Sequence, residues 1–418
     1  MKQKTVVLVE PSFYGVSFAK SAYDKGYKVV CVVSSVDNPK LYGYEGVFHD
    51  LIEADIRDVN SVLKAIKDST YYKDIDALIP ATDFASHITA KVAEELGVKN
   101  VTYNAAFLAR NKDYAREVYK NHNVPSAKFK KVQSYDEALR AAEIIGFPVV
   151  LKPTNAASSQ NVFFIKDKES LHQAMKKIHK FKYTYMDFNV RDEYLIEEYL
   201  DGNEFSVELF LLNGKPLLSV VTEKKTSDLP YFVETMHVLP APINEDLKEQ
   251  IIETALKALN AIGLINGPSH VEIKVTSDGP KIIEVNGRPG GDNISSDLLK
   301  LSLGVDIFEN TVNYYTDSPI DLSSKYNKGS AIAYLTSEEE GELLEVVGDK
   351  EILQHKNLSR LEITCSPGDY IVIPQSSDDR LGYIITVADT SEEARDIAKQ
   401  LITKLKVLIK KENPQLNP

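Results

Sequence analysis

Two cysteines in 418 residues, no tryptophan and no long apolar run set the first limits on this sequence. Cys31 and Cys365 each sit inside an apolar stretch and cannot build a disulfide framework, so both read as buried free thiols in a reducing compartment. No segment approaches the roughly eighteen apolar residues that span a bilayer. The apolar run near the start, Val6–Val9, is too short for a signal-peptide core. Positive charge is also in deficit. Lys and Arg number 49 against 61 Asp and Glu, a net charge of −12, which argues against a nucleic-acid binder, since duplex binding needs a basic face. A nucleotide needs only a local basic pocket and is not excluded. Glycine is missing where a dinucleotide-binding turn requires it: Glu10-Pro11-Ser12-Phe13-Tyr14-Gly15 carries one glycine, and the fingerprint needs three. NAD and FAD are therefore disfavoured. Internal repeats, low-complexity tracts and coiled-coil heptads are absent too. What remains is an acidic, cytoplasmic, globular protein of roughly three domains, at about 150 residues each.

What is present begins with alternation of strand and helix. Thr5–Val9, Lys28–Val33 and Ala77–Pro80 read as buried strands, with helices at Val16–Lys25 and Ser86–Leu96 between and after them. Strands this apolar imply a parallel sheet covered on both faces. The pattern divides the chain at 1–100, 101–190, 191–325 and 326–418. The second part holds a helix Lys112–Asn121 and a small α/β unit: helix Tyr135–Ile145, strands Val149–Pro153 and Val162–Ile165, helix Ser170–His179. The last part holds short strands (Ala331–Leu335, Leu361–Thr364, Gly382–Val387), a closing helix Ser391–Ile409, and a polar tail, Lys410–Pro418, expected to fray.

The strongest local signal is His270-Val271-Glu272-Ile273-Lys274-Val275, Ser277-Asp278-Gly279, then Lys281-Ile282-Ile283-Glu284-Val285-Asn286. Asp-Gly between alternating segments predicts a hairpin. With a loop at 277–279, Val271 opposes Val285 and Ile273 opposes Ile283 on an apolar side. On the other side Glu272 opposes Glu284, with Asn286 two residues on. Opposed like charges destabilise a bare sheet. A divalent cation removes that repulsion, and carboxylates with an amide oxygen suit Mg²⁺. The alternative is the solvated face of an amphipathic hairpin. Gly287-Arg288-Pro289-Gly290-Gly291-Asp292 follows, and an Arg beside two glycines suits oxyanions.

These residues resemble the ATP-grasp superfamily of carboxylate–amine ligases over nearly the whole chain. The motifs recur in order: Asn111-Lys112-Asp113, Val149-Val150-Leu151-Lys152-Pro153, Glu197-Glu198-Tyr199-Leu200-Asp201-Gly202-Asn203-Glu204, Glu284-Val285-Asn286-Gly287-Arg288, and Ser366-Pro367-Gly368-Asp369-Tyr370 with Arg380 and Gly382-Tyr383-Ile384. The resemblance implies an ATP-grasp fold of mixed α/β and α+β class, with an N-terminal parallel-sheet (pre-ATP-grasp) domain and a C-terminal α+β lid domain. It implies that Lys112 and Lys152 contact the nucleotide phosphates and that Glu197, Tyr199 and Leu200 meet adenine, while Glu204 takes the ribose. Glu198 is expected to face solvent. Where relatives carry a glycine-rich loop over the phosphates, this chain reads Thr154-Asn155-Ala156-Ala157-Ser158-Ser159-Gln160-Asn161, so Ser158 and Ser159 are expected there.

The pattern is closest to the L-amino-acid ligases that make dipeptides, of the bacilysin-synthetase type. Those place a Glu and a His three apart, thirty-eight residues before the first metal carboxylate, as Glu234 and His237 stand before Glu272. By that mapping Glu234 holds the substrate ammonium and His237 lies beside the amino-acid site. Two Mg²⁺ (or Mn²⁺) would sit on Glu272, Glu284 and Asn286. ATP phosphorylates one amino acid's carboxylate, a second amine displaces phosphate, and Arg288 with the Gly291 N–H stabilises the tetrahedral oxyanion. Relatives carry a bulky aromatic where this chain has Asp292, a difference that favours a basic first amino acid; otherwise Asp292 faces solvent or caps a helix at Ser295–Leu303. The resemblance implies small-molecule partners, with no nucleic acid and no membrane, and a homodimer by analogy. The competing readings are another ATP-grasp ligase or carboxylase acting on a non-amino-acid acid, and a non-catalytic nucleotide-binding regulator.

Overall fold

The computed structural model describes residues 3–184 and 186–410, and the tail beyond Lys410 lies outside them. Four sheets organise the described residues. The first comes from the β-branched runs: strands Asp50–Glu53, Lys28–Val33, Thr5–Val9 and Ile75–Pro80 lie side by side in that order, all parallel. Both faces are covered, as a parallel sheet requires. Val6, Leu8 and Cys31 pack with Phe18 and Ala22 of helix Val16–Asp24. Val7, Val30 and Val32 pack with Val62 and Ile66 of helix Val59–Asp68 and Val92 of helix Ser86–Leu96.

The second sheet is antiparallel, in the order Phe129–Val132, Tyr194–Glu198, Val149–Pro153, Phe163–Ile165. Helices Tyr135–Ile145 and Lys168–Ile178 start where Ser134 and Asp167 accept backbone N–H groups, the usual N-cap arrangement. These helices cover Val149, Leu151, Tyr194 and Ile196. Side chains alternate along a strand, so Lys152 and Glu197 emerge on the other face. The same logic governs the third sheet, eight strands each antiparallel to the next: Gly279–Asn286, Gly267–Thr276, Asn203–Leu212, Lys215–Thr226, Glu234–Leu239, Gly329–Leu335, Gly382–Ala388 and Leu358–Ile363. Helix Glu245–Ile262 packs on Val207, Val221, Val271 and Val285. That leaves Lys224, Glu272 and Glu284 facing away from the helix. Strand Gly329–Leu335 pairs directly with Glu234–Leu239, so the segments 191–325 and 326–418 share this sheet.

Four expectations need correction. Glu272 opposes Glu284 and Val271 opposes Val285, but Ile273 pairs with Ile282. The hairpin closes through Ser277 and Asp278 alone, and Ile283 becomes a bulge whose carbonyl accepts from Arg116 at 2.7 Å. The closing helix stops at Ile402, and Lys406–Lys410 is a strand. Its alternating Lys-Val-Leu-Ile-Lys pairs with Gly341–Val347 in a fourth sheet, with Tyr370–Ile371 on the far side. The helix expected at Ser295–Leu303 opens as a π turn, Ile294–Leu298, before α-helix Leu299–Leu303. Cys31 is buried, whereas Cys365 is only half-buried. Among the described residues no helix is long and apolar enough to cross a membrane.

The parallel sheet is pinned to the rest by aromatic contact. Phe18 meets Phe308 of helix Ile307–Tyr315 edge-on, with centroids 4.8 Å apart. Truncating a fully buried aromatic costs about 3–5 kcal/mol. Phe18→Ala is therefore expected to lower the unfolding free energy by that order and with it the midpoint of urea unfolding, read by circular dichroism; an unchanged midpoint would deny Phe18 this role.

Candidate active site

One cavity of about 330 Å³ lies where the first three sheets and the C-terminal segment meet. Its walls include Lys112, Lys152, Ser158, Ser159, Glu197, Tyr199, Leu200, Glu204, Glu234, Glu272, Glu284, Asn286, Arg288, Gly291 and Asp292. Every residue singled out from the sequence is there except His237, which is fully buried behind the wall and touches it through Asp292. Glu198, expected in open water, is half-buried and also lines the cavity. It accepts from the Lys128 N–H and stands 3.7 Å from Lys281.

On the small-sheet side, Lys152 Nζ sits 2.7 Å from Glu197, which Arg116 holds from behind at 2.8 Å. All three are buried. Burial alone would raise the Glu197 pKa, but Arg116 and Lys152 outweigh it and bring it down to about 2. The Lys152 pKa is lowered by burial, with Arg116 and Lys112 adding repulsion against the pull of Glu197. The loop after Lys152 holds Ser158 and Ser159 at φ 55° and 54°, left-handed backbone that normally favours glycine. Lys112 anchors this loop, its N–H donating to Thr154 O at 2.9 Å and its Nζ to Ala156 O at 2.8 Å.

Across the cavity stand the opposed carboxylates. Glu272 takes Lys224 at 3.0 Å and His270 at 3.4 Å, while Glu284 takes Lys112 at 2.9 Å. Burial pushes the Glu272 pKa up, yet Lys224 and His270 hold it well below the ordinary carboxylate value. Each carboxylate already leans on a cation, and Asn286 adds an amide oxygen. The donor set, hard and oxygen-only, fits Mg²⁺. Behind Glu272, a buried chain fixes the glycine turn. His270 Nδ1 lies 2.8 Å from Glu208, Ser295 Oγ donates to Glu208 at 3.1 Å, and the Gly290 N–H donates to Ser295 Oγ at 2.8 Å. Against the effect of burial, Glu208 and Glu272 raise His270 to about 9. A Cβ on Gly290 would stand 2.6 Å from Glu208 Oε2 and 2.7 Å from His270 Nδ1, so only glycine fits.

Arg288 Nε donates to Asp83 at 3.2 Å, and its guanidinium lies over the Tyr14 ring. Asp83 also binds Arg110 at 3.1 Å; burial raises its pKa, but the two arginines win and lower it. Nearby, Glu234 lies 2.5 Å from Lys224. Burial is the main cause that pushes Glu234 up to about 8 against the pull of Lys224, with Asp292 and Glu272 adding to the rise. Asp292, expected to select a basic substrate, to cap a helix or to face water, caps no helix and lines the cavity. Both its oxygens are held by Arg380, at 2.8 and 2.9 Å.

Residues 145–297 match the ATP-grasp domain family, and residues 333–410 match the L-amino acid ligase C-terminal domain 2. The chain carries an ATP-grasp domain and an L-amino acid ligase C-terminal domain. It is 30% identical over 234 residues to the alanine–anticapsin ligase of Bacillus subtilis, covering 52% of this chain and 49% of that one. Human carnosine synthase 1 is 26% identical over 233 residues, 53% of this chain and 28% of that one. The chain thus spans about half or less of the length of these relatives. The L-amino acid ligase of Bacillus licheniformis shares the fold, with a TM-score of 0.82 at 20% identity, covering 98% of this chain and 100% of that one.

Around this cavity, sequence reasoning missed Lys224, His270, Glu208 and the Arg116 partner of Glu197. Lys224 stands beside Lys225 in the sequence, and only strand phase tells the buried one from its half-exposed neighbour. His270 did carry a signal, since it shares the face of Glu272 two residues away. The Glu197 pairing predicts acid behaviour. Its folded pKa near 2 lies below the ordinary 4.5, so its contribution, about 3 kcal/mol, is complete above pH 4.5 and is lost as pH falls towards 2. The stability gap between wild type and Glu197→Gln is expected to be full at pH 6 and to shrink between pH 4.5 and 2.5, measured by urea unfolding. A gap constant across that range would contradict this.

Proposed function

We propose that this chain is an ATP- and Mg²⁺-dependent ligase that joins two L-amino acids into a dipeptide, releasing ADP and phosphate. The observation that carries the reading is the convergence of Glu272 and Glu284, opposed on neighbouring strands, with Lys112, Lys152 and Arg288 around one cavity. The alanine–anticapsin ligase and carnosine synthase relatives support an amino acid as substrate.

In this reading Lys112 and Lys152 hold the phosphates as point charges, and the Ser158–Ser159 turn presents backbone N–H groups to them. Tyr199, Leu200 and the backbone at Glu197 bound the base, and Glu204 accepts from the ribose. Glu272, Glu284 and Asn286 hold Mg²⁺, which when bound neutralises the phosphate oxygens. The first amino acid's carboxylate takes the terminal phosphoryl group of ATP, giving an acyl phosphate and ADP. Glu234 orients that amino acid, with His237 behind it. The amine of the second amino acid then attacks the acyl carbon, phosphate departs, and Arg288 with the Gly291 N–H stabilises the oxyanion between. Positioning and electrostatics supply the rate. The parallel sheet closes the substrate side, the two antiparallel sheets clasp the nucleotide, and the C-terminal domain forms the lid.

Phosphate release should be stimulated by pairs of amino acids and hardly by single ones, with dipeptide identified by mass spectrometry. Release with one acid and no amine, or with bicarbonate, would point to a different ligase or a carboxylase. Arg288→Ala should lower kcat about a hundredfold, the roughly 3 kcal/mol typical of one oxyanion donor. The fold should persist, because Arg110 stays on Asp83. Near-wild-type turnover in this variant would remove Arg288 from the mechanism.

A further inference from the structure

Asp292 and Arg380 reach the cavity wall from positions 88 residues apart, and the contact is built more firmly than a surface ion pair. Arg380 donates from Nη1 and Nη2 to the two oxygens of Asp292 at 2.9 and 2.8 Å, and from Nε to Ser377 O at 2.7 Å. The guanidinium carbon lies 3.8 Å from the Tyr334 ring centroid. The Tyr334 hydroxyl in turn donates to Asp292 O at 3.0 Å, and His237 Nε2 stands 3.3 Å from Asp292 Oδ2. Asp292 itself is held at φ 53°, a conformation a non-glycine residue keeps only when its surroundings impose it. Side-chain exposures of 13% for Arg380 and 27% for Asp292 place the pair largely out of water, where a two-point, ring-stacked contact is rigid.

Both residues line the cavity. The carboxylate best placed to attract a cationic side chain is thus satisfied by a guanidinium of the protein itself. Of the other acids nearby, Glu234 is paired with Lys224 at 2.5 Å, and Asp378 accepts a hydrogen bond from the Gln160 amide at 3.1 Å. A lysine or arginine substrate would bring a second cation beside Arg380, where Asp292 is already paired. Gln160 belongs to the loop assigned to the phosphates, so the turn that carries Arg380 is also tied to the nucleotide side.

We propose that Arg380 determines specificity, occupying at Asp292 the place that a cationic substrate side chain would need and restricting the first amino acid to uncharged side chains. The inference rests on the amino-acid ligase reading above. The test is an amino-acid panel on the full-length chain, read by phosphate release and by mass spectrometry of products. Wild type should use uncharged acids at the carboxylate position, with kcat/KM at least tenfold lower for arginine and lysine. Arg380→Met should raise kcat/KM for arginine and lysine relative to alanine at least tenfold, and adding Asp292→Asn should abolish that gain. If Arg380→Met fails to fold, Arg380→Gln keeps a polar side chain without the charge and should shift the panel in the same direction. A wild type that prefers arginine or lysine, or a variant panel identical to wild type, overturns the inference while the ligase reading stands. A wild type inactive with every pair overturns both.

Discussion

Two like charges held side by side inside a protein are the constraint around which this molecule is arranged. Glu272 and Glu284 face one another on adjacent strands, a pairing that weakens a sheet unless cations compensate it. The surrounding structure supplies them. Lys224 and His270 stand on Glu272, and Lys112 stands on Glu284. Those cations need support in turn: His270 is braced by Glu208, and Lys224 is shared with Glu234 and Glu204. Removing one partner from such a buried network leaves an uncompensated charge, which costs more than the pair contributes. The charges therefore stand or fall together.

The fold is what makes this pairing reachable. Each of the two antiparallel sheets packs one face on helices and turns its alternate side chains towards the cavity. Simple strand alternation thus places Lys152 and Glu197 opposite Glu272 and Glu284 without any special loop. The glycine turn after Asn286 adds donors at close range, and Glu208 fixes it through Ser295. A single buried carboxylate thereby braces both the histidine on Glu272 and the turn beside it.

How much of this was legible in the sequence depended on range. The Glu272–Glu284 opposition could be read because a short turn fixes register locally. The bulge at Ile283 could not, since it arises where Arg116, 167 residues away, takes the Ile283 carbonyl. The place of Lys112 and Lys152 on the cavity was legible through ordered motifs along the chain. Lys224 was not, because a buried lysine and its exposed neighbour look alike until strand phase is known. Asp292 shows the limit most clearly. Read alone it is a free carboxylate awaiting a cation, and only the folded chain brings Arg380 onto it. The closing helix failed for a related reason: Lys-Val-Leu-Ile-Lys continues a helical run acceptably, and only pairing with Gly341–Val347 makes it a strand.

The net charge of −12 looks adverse for a site that would hold a polyanion, but the cavity's own pairings remove the difficulty. Its lysines are matched with acids, Lys112 with Glu284 and Lys152 with Glu197, so the lining carries little unpaired charge of either sign. In the proposed reaction a phosphate that draws Lys112 from Glu284 leaves that carboxylate exposed to its opposite number, Glu272. The repulsion then favours entry of a divalent cation, which itself attracts the phosphate. On that reading, nucleotide and cation would favour each other's binding through the exchange of one lysine. Glu197 does not join that exchange, because Arg116 remains on it from behind, and Lys152 is free to move without leaving a bare charge in the core.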